Sequence, residues 1–453
     1  MAGELRSITS EEVAKHATPG DCWLIVRGHV YDVSQFASIH PGGDIIHLGA
    51  GIDATILFES YHLDGVDERR LEKYRIGKLA NPTESFYTWD SDFYPTLRSR
   101  VSKYFKDNNL SHRGDMRMYL KTLLIMTCWC LTYYYGVIQD SLLVTLFFGF
   151  WSAEIGLSIQ HDGSHGAYSN SPLLNRVAAW GMDLIGASTF AWEYQHIVGH
   201  HAYTNLVSDC AESDSDVLAG VPFMRMHDSQ QKRWHHRYQH IFGPALFSLL
   251  TINKVFVSDI QSALTGECAG FQMDGRYGKT SNKYRFWLMK LITIVQMVVI
   301  PVYLHGVGRG LLHFLLAHMV CGEFLATVFV VTHISSDVVT LNASKGSNPI
   351  SKVCAPQETS GNDLVTKRDW AALQVATSVN WALDSKFWTF FSGGLNHQIE
   401  HHLFPGITHV HYSALAPIVR RTCEEFNVPY VAHPDLPSAY GSLTQYLRTM
   451  GNQ

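Results

Sequence analysis

Four long apolar runs divide an otherwise polar chain. Tyr119–Ile138 and Leu142–Ile159 are each close to the about 20 residues that cross a hydrocarbon core, and only Gln139, Asp140 and Ser141 separate them, so they read as a tight hairpin. Phe286–Leu304 and Leu311–Thr332 form a second pair, joined by residues 305–310. A long polar stretch, 160–285, lies between the pairs, and a polar tail, 333–453, follows. Leu173–Ala191 is apolar but carries Arg176 and Asp183, and reads as an interfacial or re-entrant helix. Ahead of the first run the pattern is shorter. Cys22–Tyr31 predicts two strands with a turn near Arg27-Gly28, and short helices follow, ending near Gly77-Lys78. Asn81-Pro82 marks the exit into residues 81–118, a polar, aromatic and basic linker and interfacial segment. The pattern predicts a multi-pass α-helical membrane domain over 119–453, with four transmembrane helices, behind a small α+β module over 1–80.

Charge orients the hairpins. Arg98, Arg100, Lys103, Lys106, Arg113, Arg117 and Lys121 precede the first span, and Arg276, Lys279, Lys283, Arg285 and Lys290 surround the start of the third. The hairpin loops carry only Arg309. The positive-inside bias places both termini and the 160–285 stretch in the cytosol.

Composition adds one pointer and several exclusions. The chain holds 25 His against 8 Cys, and imidazole is the commonest metal-ligating side chain. The cysteines are scattered without a CxxC pair, which argues against a disulfide framework and for a reducing compartment. A net charge of −5 with no basic stripe excludes nucleic acid as a partner. Met1–Ser10 has no apolar core of a cleavable signal.

Two constellations carry chemistry. In the N-terminal module, His40-Pro-Gly-Gly43 follows Tyr31-Asp-Val and precedes Tyr61-His62. Two such histidines on loop or helix ends can clamp a haem iron from both faces, the Pro-Gly-Gly turn letting backbone approach the porphyrin. With both axial positions filled, that haem transfers electrons and does not bind oxygen. In the membrane domain stand three histidine boxes: His161-Asp-Gly-Ser-His165, His196-Ile-Val-Gly-His200-His201 and Gln398-Ile-Glu-His401-His402. On a helix, residues i and i+4 share a face, so His161/His165 and His196/His200 can each bite one metal. His201 and His402 extend their pairs toward a second. Seven histidines and one glutamine are too many for one tetrahedral zinc and enough for two metals, and imidazole suits iron, zinc and copper alike. All three boxes fall on the side of the membrane assigned to the N-terminal module.

The segment over about residues 8–80 resembles cytochrome b5, with His40 and His62 matching its axial ligands. Nearly the whole chain resembles the membrane fatty-acyl desaturases, specifically the front-end type with a fused cytochrome b5. The strings His161–Gly166, His200–Asn205 and Asn396–Pro405, together with Phe36–Gly51 and Ile76–Lys78, are similar to those of microalgal and protist polyunsaturated-fatty-acid desaturases of the delta-4 and delta-5 kind. The most specific mark is Gln398, where other desaturases and related hydroxylases carry His. The resemblance implies haem b, two iron ions in a cytosolic helical cap and O2. It also implies electrons from NADH through cytochrome b5 reductase, an endoplasmic reticulum membrane, and a long-chain polyunsaturated acyl lipid or acyl-CoA as substrate. It implies a further ligand at the end of the fourth span, for which His333 is the candidate.

The remaining histidines, His313 and His318 within the span and His235, His236, His240 and His397 outside it, read as structural. The acidic run Asp209–Asp216 reads as a solvated loop. Asp162 and Glu400 are candidates to orient metal-bound imidazoles. Trp192, Tyr194, Trp381, Trp388 and Phe391 fit a substrate tunnel or a belt of interfacial aromatics equally well. Residues 83–118 need mobility if haem is to approach the metals. Rival readings are a sphingolipid long-chain-base desaturase, a fatty-acid hydroxylase and a metal-carrying membrane cytochrome b5.

Overall fold

The computed structural model describes residues 6–80, 85–208, 213–218, 223–343, 350–351 and 361–453; the expected exit at Asn81-Pro82 and part of the acidic run lie outside them. The N-terminal module is built on a five-stranded sheet ordered β1-β5-β4-β3-β2: β1 (Ser7–Ile8), β2 (Ala17–Thr18), β3 (Asp21–Val26), β4 (His29–Asp32) and β5 (Arg75–Leu79). The hairpin β3–β4 turns at Arg27 and Gly28, whose φ values of 51° and 73° give the two-residue turn that matches strand twist. Cys22, Leu24, Val26, Tyr31 and Val33 form the core beneath it, with Phe36, Phe58 and Tyr74 packed alongside.

Residues 85–118 are not a free tether. Phe93–Asp107 is a helix whose Phe93, Leu97, Val101 and Phe105, spaced by four, bury one face against Trp370, Leu403, Phe404 and Tyr412. The N-terminal module is docked on the rest of the chain beside it. The expectation of a mobile linker gives way to this packing.

Among the described residues, three helices are long and apolar enough to span a bilayer: Leu142–Ser164, Thr280–His305 and Val307–His333. They match the second, third and fourth predicted runs. The first run is also helical, Met116–Thr132 continuing as a π-helix through Tyr133–Ile138, and it presents Leu120, Leu123, Leu124 and Leu131 outward. Its first turns carry Arg117 and Lys121, and it does not reach the same apolar standard. Inside the stretch expected to be polar, Trp234–Phe247 and Leu250–Thr265 together do, bent by 70° as a broken span or re-entrant loop. Lys254, Asp259 and Pro244 dilute and interrupt its pattern, which hides it from a hydropathy reading. Leu173–Ala191 resolves into the short helices Pro172–Ala179, Gly181–Leu184 and Thr189–Trp192, with Leu173, Leu174, Val177 and Trp180 exposed as one apolar face. Leu142–Ser164 and Val307–His333 approach closely because Gly149 has no side chain; a Cβ there would run into the Ala317 carbonyl.

The two ends of this bundle differ. At one end Asp140 accepts from Arg309 Nε at 2.6 Å and lies 2.8 Å from His313 Nε2, with His305 bonded to the Val137 carbonyl at 2.7 Å. That cluster ties the two hairpin loops together through Arg309 and Asp140, and Asp140, His305 and His313 lie close enough to hold a cation between them. At the other end the histidine boxes gather.

Candidate metal centre

The Leu142–Ser164 helix widens to a π-helix over Ile155–Gln160, then delivers His161 and His165 on its last turn. Box two lies on a second π-helix, Glu193–His200, followed by His201–Tyr203. A π-helix bonds i to i+5 and so widens the turn that carries the box. Both neighbours lie beside His196, with ring centroids at 5.1 Å for His200 and 4.7 Å for His201, and the Nε2 atoms of His196 and His201 are 3.2 Å apart. The expected His196/His200 pair is split between two groups.

The first group is His161, His165, His196 and His401; the second is His200, His333 and His402. In each, one nitrogen per ring lies within 4.8 Å of the others, and every residue is buried. His201 stands between them, its ring 4.5 Å from that of His401 and stacked 4.4 Å from that of His402. Gln398 reaches the second group, with Nε2 2.8 Å from His333 Nε2. The structure thus brings together all nine candidate ligands, including His333, from four separated segments.

The outward nitrogens are tied down. His196 Nδ1 meets Asp216 at 2.8 Å and His200 Nδ1 meets Asp214 at 2.9 Å. Those two carboxylates belong to the run read as a solvated loop; the reading fails because Asp214 is buried and also accepts from the Asn205 backbone N–H at 2.8 Å. His333 Nδ1 donates to the Thr377 carbonyl at 3.1 Å, His402 Nδ1 to Gln374 Oε1 at 3.0 Å, and His401 Nδ1 faces Tyr412 Oη at 3.0 Å. His165 Nδ1 meets Tyr61 Oη, from the N-terminal module, at 2.6 Å. Such outer partners fix the tautomer and leave the opposite nitrogen free for a metal.

Those tautomers decide whether a cation fits. His333 and His402 carry their protons on Nδ1, so their Nε2 atoms, 3.1 Å apart, face each other as two acceptors that no N–H of either ring can bridge. The Gln398 amide N–H points at His333 Nε2 from 2.8 Å, and a cation at that point would satisfy both imidazoles. In the first group, Nε2 of His161, His165 and His401 is buried without a hydrogen-bond partner among the described residues, as are His201 Nδ1 and Gln398 Oε1. A buried polar atom left unpaired costs about 1–3 kcal/mol, and several converging on two points fit metal ions. Burial, reinforced by neighbouring imidazoles, holds His165, His196, His201, His401 and His402 well below the ordinary 6.5, in the neutral form that ligates. His200 is the exception: burial pulls it down, but Asp214 and Asp216 outweigh that and raise it.

The other candidates separate. Asp162 accepts from Thr408 Oγ1 at 2.6 Å and pairs with His409 Nδ1 at 2.9 Å, and Lys121 Nζ lies 3.1 Å from His409 Nε2. Asp162 is 3.9 Å from His161 Nδ1, at the edge of contact. Glu400 accepts from Tyr430 Oη and Asn380 Nδ2, both at 2.8 Å, and its oxygens orient no box imidazole; burial pushes it up to about 7. Trp192 stacks on His196, ring centroids 4.2 Å apart, and covers the first group. Tyr194 is buried in the core shared with Leu48 of the N-terminal module. Trp381 and Trp388 pack on each other away from the histidines, and Phe391 packs on Phe150. His397 Nε2 lies 3.1 Å from Ser413 Oγ and His318 Nδ1 3.2 Å from Thr251 Oγ1.

In the N-terminal module His40 and His62 face each other with ring centroids 6.3 Å apart. His40 Nδ1 bonds the Gly43 carbonyl at 3.1 Å and His62 Nδ1 the Phe58 carbonyl at 2.8 Å, leaving both Nε2 atoms for an iron between them. The two glycines of the turn serve different neighbours: a Cβ on Gly42 would sit 2.9 Å from the His40 ring, and one on Gly43 would sit 2.7 Å from Pro172 Cβ across the interface.

Fold and sites together define a protein of membrane-length helices with an N-terminal module bearing two facing histidines and a buried cluster of histidines able to hold metal ions. Residues 141–434 match the family described as Fatty acid desaturase, and residues 9–80 that described as Cytochrome b5-like Heme/Steroid binding domain. Similar proteins include the Acyl-lipid (8-3)-desaturase of Physcomitrium patens, 38% identical over 99% of this chain and 92% of that one. The Acyl-lipid (8-3)-desaturase of Mortierella alpina is 33% identical over 98% and 97% of the two chains. Delta(5) fatty acid desaturase A of Dictyostelium discoideum is 31% identical over 97% and 93%. The chain belongs to the fatty acid desaturase family, as a member with a fused cytochrome b5 domain.

Proposed function

We propose that this chain is a front-end acyl-lipid desaturase. It inserts a cis double bond between an existing double bond and the carboxyl end of a long-chain polyunsaturated acyl chain. Delta-5 regiochemistry is favoured by the one relative just given whose name states it, Delta(5) fatty acid desaturase A, ahead of delta-4, delta-6 and delta-8. The names of the other two favour an acyl lipid over acyl-CoA, and all three favour an acyl chain over a sphingoid base. The enzyme sits in the endoplasmic reticulum membrane with both termini cytosolic, and cytochrome b5 reductase supplies electrons from NADH.

The observation that carries this reading is the pair of lone-pair clusters, one closed by His161, His165, His196 and His401 and the other by His200, His333 and His402. These residues would hold two iron ions, with His201 between them and Gln398 beside the second. His40 and His62 would hold haem b. An unactivated methylene has no acidic proton and no leaving group, so side chains alone cannot remove its hydrogens; two irons with O2 and two electrons supply that oxidising power. The protein's own part is geometric and electrostatic. Asp214, Asp216, Gln374, Thr377, Tyr412 and Tyr61 hold the Nδ1 side of six imidazoles and keep their Nε2 atoms aimed inward. Trp192 walls the first group with an apolar face that excludes water.

The test is lipid analysis of yeast expressing the chain and fed long-chain polyunsaturated acids that differ in the position of their first double bond. A product lighter than one supplied acid by two hydrogens, with its new bond at carbon 5, supports the reading. A hydroxylated product, or a new sphingoid base alone, overturns it.

A further inference from the structure

Among the imidazoles of the metal centre, His165 has an outer partner of a different origin. Every other Nδ1 partner named above comes from the desaturase domain, whereas Tyr61 belongs to the haem module. Tyr61 immediately precedes His62 in the chain. One peptide unit, one aromatic ring and one 2.6 Å hydrogen bond therefore join a haem axial position to a metal-ligating imidazole. With His165 Nε2 aimed at the first group, Nδ1 carries the proton and the phenol oxygen accepts it. The two rings are inclined by only 17°.

The surroundings hold this contact in place. Arg113 Nη1 donates to the Gly166 and Gly406 carbonyls at 2.6 and 2.7 Å, tying the segments after boxes one and three together beside Tyr61. Asp44 of the haem module accepts from Arg176 at 2.6 Å, and its carbonyl accepts from the buried Arg276 at 3.0 Å. Both arginines also bond Glu193, which opens the π-helix bearing His196 and His200. The interface that docks the haem module is thus continuous with the helix that presents box two.

Resting on the desaturase reading, we propose that Tyr61 is a positioning residue that couples the two redox sites, carrying electronic contact from His62 to His165. Each event moves one electron. The electron would leave a ferrous haem held by His40 and His62, which becomes ferric, and would reduce a metal held by His161, His165, His196 and His401; no bond is made or broken, and the Tyr61 phenol keeps its own proton. Two such events serve one turnover, with the haem re-reduced from outside between them.

The test uses full-length Tyr61→Phe loaded with haem and iron, a change that keeps the ring and removes the hydrogen bond. Reduced protein is mixed with O2 and acyl-lipid vesicles, and haem reoxidation is followed by its absorbance. The expected result is reoxidation slower on the order of tenfold or more, the scale on which outer partners of metal ligands act. Iron content, haem midpoint potential and, in the iron-free haem protein, amide exchange over Thr55–Tyr61 should all match wild type. Reoxidation at the wild-type rate overturns the proposal. So does slowing accompanied by iron loss or loosened exchange, which would make Tyr61 a structural prop. Failure of the underlying reading looks different: wild-type protein that reoxidises through Tyr61 but forms no new acyl product removes the desaturase and leaves the coupling.

Discussion

The haem site and the polyhistidine centre solve the same problem, aiming imidazole nitrogens at a metal, by opposite means. His40 and His62 come from one short stretch, and backbone carbonyls a few residues away, those of Gly43 and Phe58, set their orientation. The nine groups of the polyhistidine centre run from His161 to His402, and side chains from distant segments orient them: Asp214, Asp216, Gln374, Tyr412 and Tyr61. The first site is a local device that a module can carry alone. The second exists only when most of the chain has folded around it, and even the haem module contributes to it.

The largest expected effects separate the two sites. His401→Ala should abolish desaturation in the lipid assay while the haem spectrum stays intact, because it removes a ligand from the first group and touches nothing near His40. His40→Ala should do the reverse in the spectrum: haem is lost and the electron supply with it, while metal analysis finds the iron complement in place. Either variant losing both haem and iron would break the comparison.

Asp214→Asn sharpens it. The change keeps the shape but weakens the partner of His200, and it should cost roughly 10–100-fold in activity or metal affinity, measured by turnover and chelator competition. A null effect would mean the remote carboxylates are not what orients the second group.

The docking surface is tested by stability and not by turnover. Arg276 is buried between Glu193 and Asp44, and Arg276→Ala should destabilise by about 3–5 kcal/mol in denaturant unfolding, since it strips a buried carboxylate of a partner. Burial already pushes Glu193 up to about 7 against the pull of its arginines, so the loss should be fullest above that pH, where the carboxylate is ionised, and shrink as the pH falls and Glu193 takes up a proton. Lys106→Ala breaks the exposed pair with Asp64 on the same surface and should cost under about 1 kcal/mol.

The same contrast explains what was legible in the sequence. His40-Pro-Gly-Gly, the Arg27-Gly28 hairpin and the three boxes are local patterns that spacing alone makes visible, and the hairpin turns at the expected residues. What escaped depends mostly on partners far along the chain. Asp214 and Asp216 look like any acidic loop until box two folds beside them. His196 and His200 sit on a π-helix and join different groups, a division set by the histidines that reach them from other segments and not by their own spacing. The bent pair Trp234–Phe247 and Leu250–Thr265 hides behind its own break and its charges. The helix Phe93–Asp107 carried a visible signal, aromatic and aliphatic residues every fourth position, that its basic residues overshadowed.

The central claim is that these histidines form two metal groups and not one. Metal analysis of purified, iron-loaded protein against its haem content tests it most directly. The account predicts two non-haem irons per haem in wild type, and one in His200→Ala, with the group of His161, His165, His196 and His401 still filled. A ratio near zero in wild type, or a ratio that His200→Ala leaves unchanged, would contradict it.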